Sequence, residues 1–224
     1  MDYRFLTDAV TRKPALFRAI LEFNRSCEPS MPEELLSLGA PFPKLWEQQS
    51  FRRAWPTLAQ ENTGYWNFSE ESQRLALLDI PSLERLGLIF SAAVHAEELA
   101  LILSRELVLS LRHTLGDDIY AYALTRGRYQ IGSLRSLLLL PPSLGTTAER
   151  IKMLSEAVPS LIMQGWPEQL CTMAKKKFSC GEDPAVQGEP LFKIFSQEER
   201  RSLWFTMKKI LLREVAPEWA PCFD

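Results

Sequence analysis

The side chains able to do acid–base, nucleophilic or metal chemistry are few and scattered. Only two histidines occur, His95 and His113, eighteen positions apart. Two metal ligands on one helix face need a spacing of three or four residues, so this pair does not read as a metal site. Neither histidine has a nucleophile partner near it in sequence, and there is no G-x-S-x-G elbow, so no enzymatic triad is supported. Gly116-Asp117-Asp118 has the composition of a metal-binding turn of polymerases, which sits on a hairpin. Here the flanks have helical periodicity, and a helix stop followed by two acids at the positive end of the next helix accounts for the same residues. Cys27, Cys171, Cys180 and Cys222 show neither C-x-x-C nor paired short spacing, which argues against structural zinc. With no glycine-rich nucleotide cradle, no cofactor and no metal are expected, and the chain is read as a non-enzyme.

Charge and aromatic residues offer more than chemistry does. Twenty-six basic against twenty-eight acidic residues leave a formal charge of −2, so no overall field favours a polyanion. Two local basic features stand out, Lys175-Lys176-Lys177 and a last helix carrying Arg200, Arg201, Lys208, Lys209 and Arg213. Lysines on a helical surface ordinarily serve solubility; the functional alternative is a surface for an acidic partner. Six tryptophans are many for 224 residues, and Trp55, Trp66, Trp166 and Trp219 lie beside turn-forming residues, where protein interfaces place aromatic anchors. The candidate partner-binding residues are therefore Lys208, Lys209, Arg213 and Trp166.

The elements that must position these residues are helical throughout. Between Pro81 and Gly116 the polar residues Glu84, Ser91, Glu98, Arg105 and Arg112 recur every seventh position, and most others are Leu, Ile, Val, Ala or Phe. Seven-residue steps drift by only about 20° around a helix, so the pattern predicts one thin polar edge on a helix wrapped by neighbours elsewhere. An unbroken helix over Leu83–Leu111 would span about 44 Å, long for a domain of this size, so a break is expected near His95 or at Ser104.

Around this core, Pro14 opens a helix that stops near Asn24 to Glu28, and Ser69 is placed to cap one that stops by Pro81. Gly116 ends a helix, and the next ends at Gly127. Tyr129 to Leu140 is closed by Pro141-Pro142. Thr146 or Thr147 caps a helix kinked at Pro159, another runs from Glu168 to Phe178, and the last covers 196–216. The stretch 29–43 reads as an irregular connector with a short helical segment at Glu33 to Leu38, 44–58 is loosely periodic, and 179–190 reads as a mobile loop. The fold class expected is all-α, a single compact multi-helix domain over 1–224 built around 81–127, with no significant β-sheet. Apolar runs are cut far short of the roughly 20 residues needed to span a bilayer, and the N-terminus lacks a secretory signal, so a cytoplasmic location is expected. In that reducing compartment the cysteines read as free.

On this framework, Arg85-Leu86-Gly87-Leu88 and Leu115-Gly116-Asp117-Asp118-Ile119-Tyr120-Ala121-Tyr122-Ala123-Leu124 resemble the SctK family (YscK, PscK), sorting-platform accessory proteins of bacterial type III secretion injectisomes. Lys13-Pro14-Ala15-Leu16-Phe17 is similar to the family's proline-plus-aromatic helix start. Lys208-Lys209-Ile210 through Val215-Ala216-Pro217 is similar to its closing basic helix. The likeness is clearest over Pro81 to Gly127. The resemblance implies a cytosolic adaptor, peripheral at the inner membrane through the secretion complex and not inserted in it. It would link the forkhead-associated-like cytoplasmic domain of the ring protein SctD to SctQ of the pods, and so indirectly to SctL and the ATPase SctN. The alternative, from the charges alone, is a helical regulator binding nucleic acid through the basic last helix.

Overall fold

A computed structural model of the protein describes residues 3–26, 47–48, 64–178, 185–186 and 189–223. The fold is all-α; among the described residues, strand pairing is confined to Ala185–Val186 against Glu189–Pro190, antiparallel. The helix expected at Glu33 to Leu38, the stretch 44–58, Cys27, Cys180 and most of the 179–190 loop lie outside the described residues. Within the span read as one domain, contacts gather into two compact units, Met1–Glu70 with Trp166–Ser179, and Glu71–Gly165 with Cys180–Asp224.

In the first unit, Pro14 opens the helix Pro14–Ser26 as expected, and Leu16, Ala19, Ile20 and Phe23 are buried at the three- and four-residue spacing of one helix face. Asn24 sits in its last turn and clamps an extended segment: its Nδ2 donates to the Tyr65 carbonyl and its Oδ1 accepts from the Tyr65 N–H, both at 2.8 Å. Phe68 then packs edge-on against Phe23 and Tyr65, with ring centroids 5.6 and 5.1 Å apart. The helix Glu168–Phe178 joins through Gln169, whose Nε2 donates to the Gly64 carbonyl at 2.8 Å.

The second unit is built on the central helix Ile80–Val94, in which nine residues from Leu83 to Val94 are buried. Against it lie the helices Thr147–Met163, Asp117–Tyr122 and Gln197–Ile210. The ends of these helices follow local chemistry. Thr146 and Glu149 form a capping box, as do Ser196 and Glu199, so two otherwise orphaned N-terminal donors are satisfied at each helix start. Gly116 closes the helix Arg105–Leu115 at φ 92°, a conformation other residues rarely adopt, and its N–H donates to the Arg112 carbonyl at 2.9 Å. The helix Thr147–Met163 runs through Pro159.

The stretch 83–111 departs from the expected thin-edged helix, because it breaks at both candidate joints. The central helix stops at His95, a short helix Ala96–Leu101 follows, and after extended backbone at Ile102 and Ser104 the helix Arg105–Leu115 begins. The seven-residue stripe does not form one exposed edge: neighbours already close over it at Ser91 within the central helix, and the breaks at His95 and Ile102–Ser104 divide the rest. Ser91 is fully buried, and Glu98 pairs with Arg150 at 2.9 Å, a guanidinium only 5% exposed that also donates to the Leu140 and Gly145 carbonyls. Enclosure lapses between Leu99 and Leu111. There Leu101, Leu103, Leu107 and Leu109 are 79%, 92%, 57% and 52% exposed.

Two further expectations are corrected. Ser69 caps no α-helix: its hydroxyl bonds Asn67 Oδ1 at 2.8 Å, and the chain instead enters a 3-10 helix, Glu71–Leu77, whose Gln73 to Leu77 are all buried. Gly127 does not end a helix either. It lies at φ −57°, ψ −46°, at the end of the π-helical turn Ala123–Gly127 that leads directly into Arg128–Gln130. Its role is close approach, since a Cβ there would lie 2.9 Å from Cβ of Ala93 in the central helix.

Candidate functional site

The last helix carries a surface in which the residues on one line are all exposed. Arg201, Phe205, Lys209 and Arg213 succeed one another at four-residue steps, and each is open to solvent. Phe205 is 62% exposed, and Arg201, Lys209 and Arg213 have no carboxylate partner among the described residues. On an α-helix such a line drifts about 40° per step. The π-helical turn Leu211–Val215 takes more residues per revolution, so Arg213 is carried back toward the line. The opposite face holds the helix in place: Leu203, Met207, Ile210 and Leu211 are buried.

Lys208, beside Lys209 in sequence, points elsewhere. Its Nζ donates to Glu71 Oε2 and to the Phe223 carbonyl, both at 2.8 Å, and lies 5.9 Å from the centroid of the Trp204 ring. Arg74, 5% exposed, donates to the neighbouring Cys222 carbonyl at 2.9 Å. Two cations thereby clasp consecutive carbonyls of the C-terminal segment, and Trp204 packs on Phe223 with ring centroids 5.5 Å apart. Of the four candidates from sequence, Lys209 and Arg213 thus lie on the exposed line and Lys208 belongs to the clasp. Trp166 is only 8% exposed, in the other unit. Phe205 was missed because Trp204, Met207 and Leu211 supply the apolar periodicity of this helix; the available signal was that Phe205 is out of phase with them and flanked at four residues by Arg201 and Lys209.

The second exposed surface is the run of leucines at 101–109 described above. In the helix Arg105–Leu115 only Leu111 and Leu115 are buried. Leu101 closes the short helix, Leu103 lies in the extended link, and Leu107 and Leu109 lie in the first turns of the helix Arg105–Leu115, where Leu109 neighbours Arg105 and Arg112. Four large apolar side chains are thus exposed within nine residues, Leu107 and Leu109 facing different sides of their helix, an unusual density of open leucine for a monomeric surface.

The chemistry-bearing residues are drawn into the fold itself. Arg112 pairs with Asp117 and Arg85 with Asp118, both at 2.5 Å, and the arginine holds the Asp118 carboxyl below the usual carboxylate range. Arg85 and Asp118 edge a cleft of about 320 Å³ that also holds Tyr122, Arg126 and Glu214. Arg126 joins the two π-helical turns across this cleft by pairing with Glu214 at 2.9 Å. Burial, and then the Glu214 charge, push the Tyr122 phenol up to about 12, so it stays neutral and donates to Gln130 Oε1 at 3.1 Å.

His95 is fully buried, and its Nδ1 lies 3.0 Å from the Ser91 carbonyl. A carbonyl only accepts, so Nδ1 carries the proton and Nε2 is a buried acceptor that meets no donor among the described residues. Cys171 and Cys222 are free thiols, pushed up by burial. Among the described residues no three His, Cys, Asp or Glu side chains gather as a metal site, and no helix is long and apolar enough to cross a membrane.

No family model, curated protein or solved structure matches the chain. What the geometry presents is two exposed surfaces of different chemistry on one helical unit, a cationic line around a phenylalanine and a group of leucines.

Proposed function

We propose that the protein is a non-enzymatic adaptor of a bacterial type III secretion injectisome, of the SctK kind. It would hold the cytoplasmic domain of SctD on one surface and SctQ on another, at the cytosolic face of the inner membrane. The observation that carries the adaptor reading is the presence, on one unit, of exposed cations around Phe205 together with exposed Leu101, Leu103, Leu107 and Leu109. Two surfaces of unlike chemistry suit two unlike partners. The secretion assignment rests on the resemblance of Arg85-Leu86-Gly87-Leu88 and of Leu115 through Leu124. These segments lie in the central helix and in the turn and helix packed against it.

The test is a pull-down of the purified chain with the SctD cytoplasmic domain and, separately, with SctQ. Binding to both is expected. Leu103→Ser with Leu107→Ser should reduce one contact, and Lys209→Glu with Arg213→Glu the other. Binding to neither protein would refute the secretion reading.

A further inference from the structure

We infer that the line Arg201–Phe205–Lys209–Arg213 is a docking surface for an acidic amphipathic helix that seats an apolar side chain on Phe205 between carboxylates. The occupant follows from charge and spacing. Three cations with no carboxylate partner among the described residues stand one turn apart from, or two turns along from, an exposed aromatic ring, over a length of about 18 Å at 1.5 Å per residue. A partner helix with the same four-residue period, bearing Glu or Asp where this one bears Arg or Lys and an apolar residue opposite Phe205, matches it in register.

Other occupants fit less well. A second copy meeting this face about a two-fold axis would set cation against cation. A membrane surface needs a broad apolar face, and this one has a single phenylalanine. A nucleic acid running past the helix start would meet the exposed Glu198, one turn before Arg201, on a chain of net charge −2. The inference deepens the adaptor reading by naming the chemistry of one partner. Its test uses no secretion protein, so the two fail separately.

The probe is a fluorescein-labelled helical peptide with Glu, Leu, Glu and Glu at four-residue steps in an alanine–glutamine background, titrated with the full chain and followed by anisotropy. Saturable binding is expected with a Kd of about 100 µM or tighter at low salt, weakening as salt rises. Lys209→Glu and Arg213→Glu should each weaken it about tenfold, and Phe205→Ala by about fivefold. Arg128→Glu, which makes the same change in net charge on another element, should leave it unchanged. Lys209→Gln serves in place of any charge-reversal variant whose circular dichroism or melting differs from the parent. Four results would overturn the inference: no saturable binding, equal loss in Arg128→Glu, equal binding of the same peptide in scrambled order, or tighter binding of duplex DNA or phosphatidylserine vesicles through these same residues.

Discussion

Replacing Gly127 by alanine sets helix propensity against packing, and the structure decides the sign. Gly127 has ordinary right-handed helical dihedrals, so alanine fits the backbone and should gain about 1 kcal/mol from propensity alone. The added Cβ, however, would lie 2.9 Å from Cβ and 3.3 Å from Cα of Ala93, and 3.1 Å from Cε1 of Tyr122. Carbon atoms rest about 3.5–4.0 Å apart, so the two helices must separate by roughly half an ångström. Neither neighbour can turn aside: Ala93 has no side-chain rotation to use, and the Tyr122 ring is held by its hydroxyl at Gln130. Overpacking of this kind costs about 1–3 kcal/mol, which exceeds the propensity gain. A net loss of about 1 kcal/mol is expected, visible in urea denaturation as a midpoint lower by roughly 0.5 M with unchanged slope. An equal or higher midpoint would show that the π-helical turn does not press on the central helix as described.

Three other outcomes follow from single residues. Lys208→Ala should destabilise by about 1–2 kcal/mol by stripping a charged donor from Glu71 and the Phe223 carbonyl, whereas Lys209→Ala should stay within about 0.5 kcal/mol; thermal melts of the two variants separate a clasp from a free surface. Burial lowers the His95 pKa, so the unfolded chain takes up a proton that the folded ring refuses. Stability should therefore be full above about 6.5 and fall as pH drops below it, and His95→Gln should flatten that slope in melts between pH 7 and pH 5. Bonds from Lys193 and from the Ser196 backbone and hydroxyl hold the Glu199 carboxyl at about 2, so its contribution is complete above the ordinary value of 4.5 and is lost as pH falls through about 2. Glu199→Gln should remove that part of the acid transition in a comparison of melting temperatures.

The likeness between expectation and structure divides along the range of the forces involved. Helix ends were legible because they are settled within a few residues. Thr146 with Glu149, Ser196 with Glu199 and Gly116 at positive φ each satisfy backbone groups of their own turn. The all-α class and the central position of 80–94 follow from apolar periodicity, which is also local. The two joints in 83–111 were both visible, at His95 and Ser104, although sequence alone did not indicate that the chain uses both.

Side-chain destinations were another matter. Leu99 is buried and Leu103 is 92% exposed, with the same side chain and nearly the same neighbours, because burial depends on which distant surfaces arrive. Lys208 and Lys209 look interchangeable in a basic run, yet Lys208 meets Glu71, 137 residues away, while Lys209 meets solvent. Gly127 read as a stop because glycine disfavours helices; only the approach of Ala93 shows that it is kept for its missing Cβ. By itself the sequence determined the helices, most of their ends and a basic last helix, since hydrogen bonds and caps act over three or four residues. Tertiary structure alone decided which cations and leucines remain exposed for partners, because that depends on packing between residues far apart in the chain.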